Sequence, residues 1–372
     1  MPHEVESAAI HGQAWHSAGR RLDHLMTVEE ALEESGLGDW MLKKYPARTL
    51  VPHADLDSAG IRRVAALSGA EYLSADTNTP SHVGYWSVPI DRFGHFRTKD
   101  WTLLGDVGPD YQSIANEYGF DVFKLLCDKN GLNVAKIQSA GSLRGGKRVW
   151  VLLSLPDSGF TVGAQKSQIL PYMLFWNAHD GSQAANFQLT TVNVVCMNTL
   201  NAALGEKYAQ ISVKVRHTGD INAKMKDVQD MMAQAALVFG DFKRIGDELD
   251  SKPVTPEAFG EVMNFLFPPL DEAKASNKQI ANRNTRIMLL GEAIKQEVAL
   301  LPQYTITGAG NPQFSYWTLL QGVTRFTTHM QGVRVLKSQD EGEQRFESQV
   351  IGAGAEFNAA AAKKIMAMAE VK

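Results

Sequence analysis

At 372 residues, 44% hydrophobic and 21% charged, the chain can fill one large core or two ordinary ones and is too apolar for wholesale disorder. Its net charge of −4 excludes coating of nucleic acid by bulk charge and leaves room for a local basic groove. Two distant cysteines, Cys127 and Cys196, exclude a disulfide scaffold or zinc knuckle and fit buried thiols in a reducing compartment.

The first residues, MPHEVESAAIHGQAW, carry acids and no apolar run, unlike a signal peptide. No stretch approaches the roughly 20 apolar residues of a membrane span. A cytoplasmic protein without membrane contact is expected.

Residues 1–45 read as an acidic arm. Up to residue 40 it holds Arg20 and Arg21 against eight acids, with a short helix near 27–35 where Thr27 and Glu30 stand in capping-box spacing. Short strands follow around Thr49–Val51, Val83–Val88 and Trp101–Leu104, each bounded by Pro, Gly or Asp. Apolar positions Ile114, Tyr118, Val122 and Leu125 predict a helix over 111–128. A hairpin pairs 133–142 with 149–155 through Gly145-Gly146, and further strands are expected at 168–177, 187–195 and 210–215. Helical periodicity then marks 197–204, 222–250, 255–267, 276–300, 313–330 and 355–371, punctuated by Pro253, Pro256, Pro268-Pro269 and Pro302.

Gly141-Ser-Leu-Arg-Gly-Gly-Lys147 has the letters of a phosphate-binding loop. That loop needs Ser or Thr after the lysine and a helix next; here Arg148 and a strand follow. No HExxH, acidic pair or nucleophile elbow stands out, so no catalytic residue, metal or cofactor is assigned. A metal-dependent nuclease ranks last among the readings.

Charge offers more. Residues 131–178 hold Lys136, Arg144, Lys147, Arg148 and Lys166 against Asp157 alone, interleaved with Trp150, Phe160, Tyr172, Phe175 and Trp176. Phosphates pair with such cations while bases stack on such rings, although aromatics at strand spacing are more often core. A second cluster at 207–226 includes Lys214, Arg216 and His217, with Thr218 and Asp220 placed to cap a helix. Arg283 and Arg286 share a helix face that reads as solvated.

Several patterns together resemble a family of phage/plasmid-like proteins labelled domain of unknown function 932. They are His11-Gly12 with Trp15-His16, Val107 to Tyr111, Val195-Cys-Met-Asn-Thr-Leu200, Arg216-His-Thr-Gly219, and Asn311 through His329. The resemblance implies a role on mobile elements, in recombination, replication or host defence. The order of strands, helix, basic hairpin and strands is similar to Rad52-like single-strand annealing proteins, which form rings holding DNA in an outer groove.

The expectation is thus an α+β fold, a twisted antiparallel sheet with a basic hairpin packed on helices. The sheet domain would span 46–220 and a mainly helical region 221–372. Function is expected to be ATP-independent binding and annealing of single-stranded nucleic acid, DNA favoured, by a homo-oligomer. Arg144, Lys147, Arg148, Lys166, Lys214, Arg216 and His217 would meet phosphates and Trp176 would stack a base. The alternative is a protein-binding regulator or anti-defence factor acting on a host protein through the acidic arm.

Overall fold

Two sheets organise the first half of the chain, and helices the second. The computed structural model describes residues 7–11, 20–74, 84–129, 136–155, 159–163, 167–191, 211–271, 273–299, 314–332, 344, 348 and 352–371. The helix expected at 197–204 lies outside them.

The large sheet has seven strands. Its centre is the expected hairpin, β7 (Lys136–Leu143) with β8 (Arg148–Ser154), joined on one side by β11 (Pro171–Ala178), β12 (Ala185–Thr191) and β13 (Ser212–Val215). On the other side lie β1 (Ser7–His11), antiparallel to β7, and β2 (Arg20–Leu22), parallel to β1. Parts of the acidic arm therefore extend this sheet. The hairpin turns at Gly145 and Gly146, with φ of 63° and 89°, a conformation that glycine adopts without steric cost.

Both sheet faces are covered at the centre, where no residue of β8, β11 or β12 is exposed. This explains the nearly unbroken apolar runs of β8 and β11, whereas β12 alternates and buries Asn186, Gln188 and Thr190 between its apolar residues. One face, with Val151, Phe175 and Phe187, packs on α3 (Asn116–Lys129), whose Gly119 lets the Phe175 ring approach. The helix begins later than its periodicity suggests, because the preceding residues are used elsewhere: the Gln112 N–H donates to the His217 carbonyl at 2.6 Å. Beside α3 lies α1 (Val28–Glu34), begun by the reciprocal Thr27–Glu30 capping box.

The small sheet is built around one long strand, β5 (Tyr85–Arg97). It pairs with β3 (Leu42–Pro52) along one edge, and with β4 (Glu71–Leu73) and β6 (Thr102–Val107) along the other. A short helix, α2 (Ser58–Ala65), connects β3 to β4. Side chains alternate along β5, so His95 and Arg97 are buried while Phe96 lies on the outer face.

A two-stranded ribbon, β9 (Phe160–Val162) and β10 (Ser167–Ile169), leads into the helices. They are α4 (Lys224–Ala233), α5 (Ala235–Ser251), α6 (Pro256–Leu266), α7 (Asn277–Ala299), α8 (Tyr316–Arg325) with a π turn to Met330, and α9 (Ala353–Met368). The span 222–250, read as one helix, is broken at Gln234 into two. Trp317 is 1% exposed and meets Phe242 of α5 edge-on at 6.0 Å, while Phe242 meets Phe160 of the ribbon at 6.2 Å, so sheet and helices share one core.

Arg283 and Arg286 do not form a solvated face. Arg283 donates to the carbonyls of Phe267 and Pro268 at the end of α6, and Arg286 stacks on the rings of Phe267 and Phe357. The fold is α+β with antiparallel sheets and a mainly helical C-terminal region. Among the described residues no helix is long and apolar enough to cross a membrane.

Candidate nucleic-acid interface

Strand pairing brings most of the sequence-predicted residues to one end of the large sheet. Ala178 pairs with Arg148, and Ala185 with Val215. The hairpin tip at 144–147, the turn after β11 and the Arg216-His217 segment therefore lie side by side. From β13 to β8 is three strand spacings, about 14 Å.

Arg148 is 7% exposed; its Nη1 donates to Asp180 at 2.5 Å and its Nη2 to the Ser182 hydroxyl at 2.6 Å. Burial alone would raise the Asp180 carboxyl; the Ser182 N–H and the Arg148 guanidinium overcome this and hold it below the usual range. Trp176 is 6% exposed in a central strand, with Trp150 as its cross-strand partner. His217 is 5% exposed, and its ring stacks on Tyr111 at 4.5 Å with 14° between planes. All three, expected to meet phosphates or a base, are turned into the structure. The acid that neutralises Arg148 stands 32 residues away in sequence, and the face carrying Trp176 is covered.

Arg144 is half-buried in the hairpin at φ 54°. Lys147, Lys214 and Arg216 are exposed and have no acidic partner among the described residues. Lys166 lies outside the described residues. Three open cations thus remain at this end of the sheet, on strand ends, with no exposed ring among the expected residues.

The exposed rings lie elsewhere, on the outer face of the small sheet. Tyr45 on β3 pairs across to Gly94, whose missing side chain lets the Phe96 ring lie over it; a Cβ there would come within 2.7 Å of that ring. Trp101, in the turn between β5 and β6, sits 5.8 Å from Tyr45 and 6.4 Å from Phe96. Tyr45 and Phe96 meet edge-on at 5.8 Å. Trp101 is 64% exposed and Leu103, beside Phe96 on the same face, 52%.

The turn that presents Trp101 is specified chemically. Trp101 has φ 60°, a left-handed conformation that a bulky residue rarely adopts and that surrounding structure must hold. Asp100 supplies the hold. It accepts from Arg97 Nε and Nη2 at 2.9 and 2.7 Å and from the Thr102 N–H at 3.2 Å. The Arg97 bonds draw its carboxyl down to about 2. Arg97 in turn lies over Trp40 at 4.7 Å on the inner face.

Lys43 lies on the same outer face, paired across to Phe96, and Lys99 lies in the turn. Both are exposed without an acidic partner among the described residues, since Asp100 is already bound by Arg97 and Asp106 by Arg92. An aromatic triplet flanked by two open cations is the arrangement that stacks unpaired bases and neutralises the phosphates between them. Sequence reasoning read strands here and missed the site. The available signal was Gly94-His-Phe96 alternating along β5, with an aromatic beyond the turn at Trp101.

No group of three or more metal-ligating side chains occurs among the described residues. No curated protein and no solved structure matches the chain. The family model described as domain of unknown function (DUF932) matches residues 103–350; this span contains the hairpin, Arg148, Asp180 and His217, while Tyr45, Phe96 and Trp101 precede it. A match over more than half of the chain settles membership, and the protein belongs to the DUF932 family.

Proposed function

We propose that the protein binds single-stranded nucleic acid, DNA by preference, on the outer face of its small sheet and anneals complementary strands without ATP. The observation that carries the reading is Trp101, 64% exposed at φ 60° beside Tyr45 and Phe96, with Lys43 and Lys99 at its flanks. Folding a large ring outward in a strained turn costs stability, and a contact made by that ring offsets the cost. A duplex keeps its bases stacked on one another, so the platform selects unpaired strands.

Annealing, a homo-oligomer and a phage or plasmid setting come from the family resemblance and the Rad52-like order of elements. The three open cations at the end of the large sheet, Lys147, Lys214 and Arg216, would extend the backbone contacts. With a chain charge of −4, affinity must come from such local groups and must fall as salt rises.

A second reading, a regulator that docks on a host protein, draws on Met41 and Leu103, 60% and 52% exposed near the same rings. Titrating the protein with a fluorescent oligothymidylate at low and high salt separates the two. The first reading requires binding that weakens steeply with salt; absence of binding at low salt leaves the second.

A further inference from the structure

Three histidines from separate stretches of chain meet where the small sheet abuts the end of the large one. His95 is on β5, His179 follows β11 and His217 follows β13. With Trp40 and Tyr111 they form an unbroken row of rings. Centroids are 5.5 Å apart for Trp40–His179, 5.8 Å for His179–His95, 5.2 Å for His95–Tyr111 and 4.5 Å for Tyr111–His217. His95 and His179 are fully buried and His217 is 5% exposed.

Hydrogen bonds assign the protons. His95 Nδ1 faces the His179 carbonyl at 2.7 Å and His217 Nδ1 faces the Gln112 carbonyl at 2.9 Å, so each ring donates there. His179 Nε2 faces Asn116 Oδ1 at 2.8 Å, and the Asn116 amide nitrogen donates to the Leu37 carbonyl, so this ring donates too. The other nitrogen of each ring is then a lone pair. That of His95 accepts from the Ser113 hydroxyl at 2.8 Å. Among the described residues those of His179 and His217 meet no donor, and neither does the buried Oδ1 of Asn177.

Charged groups from both sheets face this row. Lys44 and Arg97 face it from the small sheet, Arg148 from β8, and Asp180 from the turn after Ala178. Asp180 is engaged by Arg148. A proton added to His179 would therefore enter a buried site facing Arg97 and Arg148, and one added to His217 would be buried beside Asp180, an acid already paired. The same contact closes the two sheets on each other, for Gly105 of β6 packs so tightly that a Cβ would come within 2.4 Å of the Asp180 backbone.

We propose that the His95–His179–His217 row is an acid-operated latch, which docks the small sheet on the large one while its rings are neutral and releases it when His179 and His217 take up protons. Burial lowers all three histidines from their ordinary value of 6.5. The open form binds protons that the closed form refuses, so docking is at full strength above that value and weakens as pH falls below it. The latch does not depend on the nucleic-acid reading, although it would carry the Trp101 platform with it.

Hydrogen exchange on the full chain at neutral pH and near pH 5, corrected for intrinsic rates, tests the proposal. The ring N–H of His95 donates to the His179 carbonyl across the joint and that of His217 to the Gln112 carbonyl at the end of the row, so these two ring protons report the joint. Their protection is expected to fall roughly tenfold per pH unit for each histidine that gains a proton, while the β8–β11 ladder and α5 keep theirs. Unchanged protection at the joint, or equal loss in the β8–β11 ladder, overturns it. The double variant His179→Phe, His217→Phe is expected to reduce the pH dependence to that of His95 alone, and an undiminished dependence overturns the latch. Should that variant not fold, imidazole nitrogen shifts of the unaltered protein decide. Lone pairs at His179 Nδ1 and His217 Nε2 at neutral pH support the latch, and doubly protonated rings there overturn it.

Discussion

Arg148 and Asp180 form an ion pair at 2.5 Å, with side chains 9% and 20% exposed, at the tip of the hairpin that the sequence marks as one of two basic clusters. The pair converts a cation expected to meet phosphate into a tie between β8 and the turn after β11. Arg148→Met strips Asp180 of its partner and is expected to cost about 3 kcal/mol in urea unfolding, because an uncompensated buried charge remains. Adding Asp180→Asn should recover most of the loss. The carboxyl is held below its unfolded value, so the pair stabilises above the ordinary carboxylate range and its contribution disappears as pH falls through the folded value.

Gly105 and Gly108 make a paired test of the joint between the sheets. A Cβ on Gly105 would lie 2.4 Å from Asp180 Cα, which is backbone and cannot swing aside, whereas a Cβ on Gly108 meets nothing within 4 Å. Gly105→Ala is expected to destabilise by roughly 1–3 kcal/mol through overpacking. Gly108→Ala should be near neutral. Equal thermal midpoints for the two variants would mean that the sheets do not dock as described.

The hairpin, the α1 capping box and the helical second half were legible because each is a local pattern: Gly145-Gly146 between apolar runs, Thr27 three before Glu30, apolar positions at helical spacing. What escaped was non-local. Whether Trp176 faces solvent depends on what covers its strand, and whether Arg148 is open depends on Asp180. The histidine row joins positions 95, 179 and 217, which no sequence window contains. The outer face of the small sheet was read as strands, but which of its alternating residues stay exposed follows from how the sheet docks. Membership of the DUF932 family was readable, since the motifs quoted for it span the matched region.

Asp100 offers a narrower check on the turn. Its carboxyl, held near about 2 by Arg97, should remain ionised through an NMR titration down to pH values where ordinary aspartates are protonated. The side chain is 46% exposed, so solvent screens the pair and Asp100→Asn is expected to cost less than about 1 kcal/mol. Its effect should fall on the platform instead. Losing the grip on Arg97 frees the turn, and oligonucleotide binding should weaken severalfold with stability nearly intact.

The central claim is that the Tyr45–Phe96–Trp101 face takes unpaired bases, and its most direct measurement is the affinity of the protein and of the Tyr45→Ala, Trp101→Ala double variant for the same sequence as a single strand and as a duplex. At low salt the account predicts tighter binding of the single strand. It also predicts a loss of about 2–6 kcal/mol of that binding in the variant, at about 1–3 kcal/mol per stacked base, with the fold unchanged. Equal affinity of variant and unaltered protein for the single strand, or no binding by either, would contradict it.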